Sequence, residues 1–190
     1  MTDPTAAAVR PGPARVRPLL PTDAPAVLSA FTSAPDMARQ GEVGSLEEAQ
    51  RYVEHLTRAD GPSRAFAIEV GEVMVGLVGV VVDAQNRNGW VHYWMHADHR
   101  GRGLVARAVA TVADEALGEG GLERLELGHR VDNPASGAVA LAAGFVQEGR
   151  ERGKFLIDGE RVDVLTYGRL RTDPWSVTEH LPLATQRPRI

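Results

Sequence analysis

The chain contains no cysteine. That excludes a disulfide framework, a thiol nucleophile and a thiolate metal site. No apolar run approaches the ~18 residues that a membrane-crossing helix needs, and the start lacks a charged-then-apolar leader pattern. A cytoplasmic protein with no membrane partner is therefore expected. Nor is there an excess of basic charge: the formal net charge of -4 offers no field for nucleic acid, and no nucleic-acid partner is expected. The string G-x-x-x-x-G-K-[ST] does not occur, which removes a P-loop. G-x-S-x-G is also missing, which removes the nucleophile elbow of a serine hydrolase. Aromatic residues make up only 5% of the chain, so the adjacent pair Tyr93-Trp94 stands out.

The pair opens the most informative stretch. His92-Tyr93-Trp94-Met95 reads as a strand, and Arg100-Gly101-Arg102-Gly103 is a basic glycine loop. Residues 104–117 then carry apolar side chains at Leu104, Ala108, Val109, Val112 and Ala116, at helical spacing. The unit is strand, loop, helix. The first N–H groups of a helix have no partners and carry partial positive charge. Glycines let a ligand approach the backbone, and arginines add donors. Together these make an anion site suited to a diphosphate. The competing reading is an ordinary strand-to-helix turn with solvated arginines. A dinucleotide fingerprint fits less well, because the loop sits mid-chain after strands that read as antiparallel.

At 190 residues with 43% hydrophobic content, the chain is expected to form one domain with a sizeable core. Residues 1–14 read as a flexible segment, 15–171 as the domain, and 172–190 as a loose tail. Residues 16–20 read as a short strand, confined to an edge by Pro18. Thr22-Asp23 caps a helix to Phe31. Ser45 and Glu48 form a capping box for a second helix, to about Arg58. The loop between them, residues 32–44, is a candidate substrate-facing segment. Residues 64–70 and 73–82 form a hairpin, in which Gly76 and Gly79 suggest a bulge or a close backbone approach. After the central helix, residues 122–129 alternate as a strand, parallel to the one before the helix. Asp132 or Asn133 caps a further helix, with Pro134 in its first position. Residues 145–152 and 160–170 close as a hairpin. The expected class is α/β (α+β), with a mixed, mostly antiparallel sheet and helices on both faces.

Two motifs now stand at a fixed spacing. Arg100-Gly101-Arg102-Gly103-Leu104-Val105 resembles the Q/R-x-x-G-x-G/A loop of the GNAT superfamily of acyl-CoA-dependent N-acyltransferases. Asn133-Pro134-Ala135-Ser136, followed by Ala143-Gly144-Phe145, resembles that superfamily's later N-x-x-S…G-F segment. With Tyr93-Trp94 before the loop and Asp163 and Tyr167 on the closing strand, the pattern is similar to the Rim-type branch, which includes N-terminal acetyltransferases of ribosomal proteins. The resemblance implies a GNAT fold with a splay between two parallel central strands, and acetyl-CoA as co-substrate. By position it implies that the backbone of Trp94 and Met95 pairs with the pantetheine arm. It implies that the N–H groups of Gly101, Arg102, Gly103, Leu104 and Val105 hold the diphosphate, with charge from Arg100 and Arg102. Asn133 would bond the arm's amides, and Ser136 would lie near the thioester sulfur. Two positions depart from the pattern. Val105 replaces the final G/A, and Ala140 stands where many members carry a tyrosine acid. The second departure puts weight on Ser136 to protonate the leaving thiolate or to position the thioester.

Amine acylation also needs a proton acceptor. His92 is the first candidate because histidine titrates near neutral pH; Glu69, on the neighbouring strand, is the second. Both could instead be solvent-facing strand residues. His92 and His96 share a strand face, but no acidic residue has matching spacing, so no metal site is expected. The expected function is transfer of an acetyl group from acetyl-CoA to a primary amine, on a protein N-terminus or a small molecule. A non-catalytic acyl-CoA sensor or assembly module is the alternative. Homodimerisation through the terminal hairpin is a further expectation.

Overall fold

The computed structural model describes residues 12–184. Most of the expected N-terminal segment, and residues 185–190 of the tail, lie outside them. Seven strands form one sheet: β1 (Ala14–Pro18), β2 (Ser63–Val70), β3 (Val73–Asp83), β4 (Asn88–Met95), β5 (Arg124–Arg130), β6 (Val146–Ile157) and β7 (Glu160–Leu170). Their order is β1-β2-β3-β4-β5-β7-β6. Neighbours are antiparallel except β4 and β5, which are parallel and joined through helix α3 (Leu104–Leu117). This is the mixed sheet expected from the sequence.

Helices cover both faces. α1 (Ala24–Phe31) and α2 (Leu46–Thr57) pack on one face, burying Val27, Phe31 and Val53 with Leu77 and Trp94. α3 and α4 (Pro134–Ala142) pack on the other, over Val78, Val80, Val91 and Leu127. α3 presents Ala108, Ala110, Ala113 and Ala116 to the core; small side chains let the helix lie close to the sheet. The α2 cap forms as read, with Ser45 accepting the Glu48 N–H at 3.3 Å. The return bond differs, since the Glu48 carboxylate accepts the Gly44 N–H at 2.8 Å.

Both readings of the β3 glycines apply. A bulge falls opposite Ile68 and Glu69, next to Gly76. At Gly79 a Cβ would stand 2.2 Å from the His92 ring, so the imidazole lies flat across the bare backbone. The tail corrects the expectation of looseness over the residues described. Val16 donates to Pro182 O and accepts from Ala184 N, both at 2.8 Å, and Leu181 is 2% exposed. The reason is the open outer edge of β1, whose N–H and C=O groups need partners.

Candidate active site

The parallel ladder between β4 and β5 is short. It pairs Asn88 with Arg124, Gly89 with Leu125 and Trp90 with Glu126, and then stops. Beyond Trp90 the two strands part. A cleft of about 330 Å³ opens at the parting. Side chains from both faces of the sheet line it: Tyr93, Asn133 and Ser136 from the α3/α4 face, and Trp90, His92 and Arg39 from the α1/α2 face.

Strand alternation decides which main-chain groups look into the gap. His96 N–H donates to Val75 O at 2.8 Å, towards β3. Trp94 and His92, two and four residues back, therefore turn their main-chain groups to β3 as well. Those of Met95 and Tyr93 face the gap. This corrects the expectation for Trp94. Its backbone belongs to the β3–β4 ladder, and its indole is buried against Phe31, with Nε1 donating to the Tyr52 hydroxyl at 3.0 Å. Met95 keeps its expected orientation, and its carbonyl accepts from Arg100 Nε at 3.2 Å.

The glycine loop lies at the end of the same strand. Gly101 and Gly103 have φ of 74° and 70°, values that L side chains adopt only with strain. Gly103 is the residue before the first turn of α3. Among the described residues, the main-chain N–H groups of residues 101–106 have no protein acceptor. They fan out from the helix mouth, and a Cβ on Gly101 or Gly103 would meet nothing within 4 Å. Leu104 and Val105 are among the residues whose N–H groups are left without a protein acceptor, and Val105 in place of the final G/A leaves the helix start intact. The two arginines differ. Arg102 is exposed and, among the described residues, bonds only the Asp98 carbonyl, at 3.0 Å, with no carboxylate paired to it. Arg100 pairs with Asp36 at 2.9 Å and ties the 3₁₀ turn Pro35–Gln40 to the end of β4.

Asn133 caps α4, its Oδ1 accepting the Ser136 N–H at 3.3 Å, which leaves its amide NH₂ uncommitted. Ser136 Oγ lies 2.7 Å from the Tyr93 hydroxyl, which also reaches Ser136 O at 3.1 Å. Burial pushes the Tyr93 phenol up to about 12, so it stays protonated. The sequence marks Tyr93 only as half of the Tyr93-Trp94 pair; nothing local points to its hydroxyl, because its partner is 43 residues away. Behind this pair, His129 Nδ1 donates to Arg130 O at 2.8 Å, and His129 Nε2 and the Tyr167 hydroxyl share a hydrogen bond of 3.1 Å. The two rings stack at 5.4 Å.

His92 lines the cleft, half-buried, with no hydrogen-bond partner for its ring among the described residues. Burial holds its pKa below the ordinary histidine value, so the imidazole is neutral at pH 7. Glu69 is not brought to the cleft. It is 3% exposed and holds Arg15 and Arg17, each at 2.5 Å. Burial alone would raise its carboxyl, but the bonds from Arg17 and Arg15 outweigh this and hold it below the usual range. A carboxylate so bound is a poor proton acceptor, which corrects its candidacy as a base. Among the described residues, no group of three or more His, Asp or Glu could hold a metal ion.

A family model described as an acetyltransferase (GNAT) domain matches residues 14–146. The chain belongs to the GNAT acetyltransferase family. It is 30% identical over 132 residues to the ribosomal-protein-serine acetyltransferase of Escherichia coli (strain K12), covering 67% of this chain and 73% of that one. Among solved structures, the RimL ribosomal L7/L12 alpha-N-protein acetyltransferase in complex with coenzyme A superposes with a TM-score of 0.73 at 23% identity, over 83% of this chain and 94% of that one. A spermidine N-acetyltransferase chimera from Vibrio cholerae and hSSAT gives 0.73 at 21%, over 84% and 96%. At such identities these two likenesses carry the fold. Family membership carries the activity: this GNAT protein is an acetyl-CoA-dependent N-acetyltransferase. No helix among its described residues is long and apolar enough to cross a membrane.

Proposed function

We propose that this protein acetylates primary amines by direct attack in a ternary complex, at the gap where β4 and β5 part. The observation that carries this reading is the end of the parallel ladder at Trp90 and Glu126, beside a helix mouth with unbonded N–H groups. A long ligand with an anionic end and an amide-bearing arm fits both features. The N–H groups of residues 101–106 and the free charge of Arg102 would hold a diphosphate. The main-chain groups of Tyr93 and Met95 and the side-chain amide of Asn133 would bond the arm. When bound, acetyl-CoA supplies the acetyl group as a thioester with a mildly acidic leaving thiol.

The chain's own residues then divide the proton work. His92, neutral and without a ring partner, accepts the proton of the attacking amine from the α1/α2 side. An α-amine titrates near 8, so a modest base suffices. Ser136 stands on the opposite side with Tyr93 behind it. When Tyr93 donates to Ser136 Oγ, the serine proton is free to turn into the cleft. Ala140, where a family tyrosine is often found, is fully buried, and Tyr93 brings a phenol to the cleft from a strand instead.

The test is calorimetric titration with CoA, followed by thiol release from acetyl-CoA across a panel of amines. Heat on titration and turnover with at least one amine are expected. Absence of binding would overturn the site. Binding with no turnover on any amine would favour a sensor.

A further inference from the structure

We propose that the acceptor is a primary amine carried beside a carboxylate, as in a peptide N-terminus followed by acidic residues, and that polyamines are disfavoured. This rests on the reading of the cleft as the acetyl-transfer site. The mouth on the α1/α2 side is cationic. Arg39, from the 3₁₀ turn Pro35–Gln40, and Arg130, at the end of β5, both line the cleft, and no carboxylate does. Arg39 has no ion-pair partner among the described residues. Arg130 is paired with Asp132 at 2.6 Å, but Asp132 is not part of the lining, so one full positive charge remains at the mouth.

Three carboxylates on the surrounding elements are already engaged, while Glu42, Asp158 and Glu160, which carry no ion pair among the described residues, are not part of the lining. Asp36 holds Arg100, Glu126 holds Arg124, and Glu151 holds Lys154. Lys154 in turn lies 6.0 Å over the Trp90 ring, a wall of the cleft. A polyamine brings two or more ammonium groups. Buried charges need partners, and this mouth supplies arginines where such a ligand needs acids. An acceptor with a carboxylate finds a free guanidinium at Arg39, a bidentate match. The same positive field disfavours the ammonium form of a nearby amine, so the acceptor presents the free base that attack requires. Trp90 and Phe155 wall the mouth and lower the local polarity beside Arg39, which strengthens both effects.

The test compares initial rates of thiol release with matched peptides differing only at positions two and three, Asp-Glu against Lys-Arg. Spermidine and free glutamate are run beside them, at low and high salt. The acidic peptide should exceed the basic one in kcat/KM by roughly tenfold at low salt, narrowing as salt screens the mouth. Glutamate outrunning the acidic peptide would assign the carboxylate to a small molecule instead of a chain. In Arg39→Glu, an exposed turn position, the preference should vanish or reverse while CoA binding heat is unchanged. Faster turnover of spermidine or the basic peptide by the unaltered enzyme would overturn the acceptor assignment and leave the transferase reading intact. The same holds for a peptide preference that survives Arg39→Glu. No turnover on any amine would strike the transferase reading itself.

Discussion

At the β1–β2 edge, Glu69 lies 3% exposed between Arg15 and Arg17, and Arg17 also grips the buried Asp23 at 2.7 Å. Between β4 and β5, His92 has no ring partner among the described residues, and Ser136 and Tyr93 share one short bond beside a cleft. Both clusters are built around strands of one sheet, and both contain groups that a sequence would nominate as acid or base. The first is closed, with its negative charges met by positive ones and no direction left for a substrate. The second is built of neutral groups with one side left open. On the proposed reading reactivity follows the open side, because a group whose every direction is taken can exchange a proton only by breaking what holds it.

Substitutions at both clusters test that contrast. The largest effect on stability is expected at the closed cluster. Glu69→Ala takes from buried Arg17 one of its two carboxylate partners and from Arg15 its only one, and should cost about 2 kcal/mol, or roughly 6 °C in Tm by scanning calorimetry. The kcat/KM of the folded enzyme at low temperature should be unchanged; a selective loss of turnover would return Glu69 to the site. The sign with pH follows from its lowered pKa. The stabilisation is full above the unfolded carboxyl value and is lost as pH falls through the folded one, so Glu69→Gln should approach the unaltered protein in acid.

At the open cluster, His92→Ala should lower kcat/KM about 100-fold with little change in Tm. Because burial lowers its pKa, the rate of the unaltered enzyme should rise with pH through a midpoint below the ordinary histidine value, and this limb should disappear in the variant. Gly79→Ala should act in the same direction, since the new methyl would displace the imidazole. Retention of the acid limb in His92→Ala would remove this residue as base. The smallest effect is expected at the hydroxyl pair. Ser136→Ala should reduce kcat about tenfold, and Tyr93→Phe by less, as it acts through Ser136. Equal rates in all three proteins would show that the thiol leaves unaided.

Much of the site was legible because its physics is local. The helix mouth with its unbonded N–H groups needs only glycines at two positive-φ positions and a helix that begins beside them, and residues 100–105 state both. Asn133 and Ser136 are three apart, so the cap joining them is written in the sequence, as is the Ser45 cap of α2. The strand series and the crossover also followed from local patterns. What failed was orientation and partnership. Trp94 was assigned to the arm although alternation turns its backbone to β3, a matter of register with Val75 and Leu77. Glu69 was nominated because its partners stand 52 and 54 residues away.

The sequence by itself determined the family, the helix mouth and the class of reaction, because backbone polarity and capping depend on residues within a turn of one another. The tertiary structure alone decided where β4 and β5 part, which hydroxyl meets Ser136, and which carboxylate is silenced. Those outcomes depend on strand register and on packing between distant segments, and a strand's neighbours are chosen by the whole sheet.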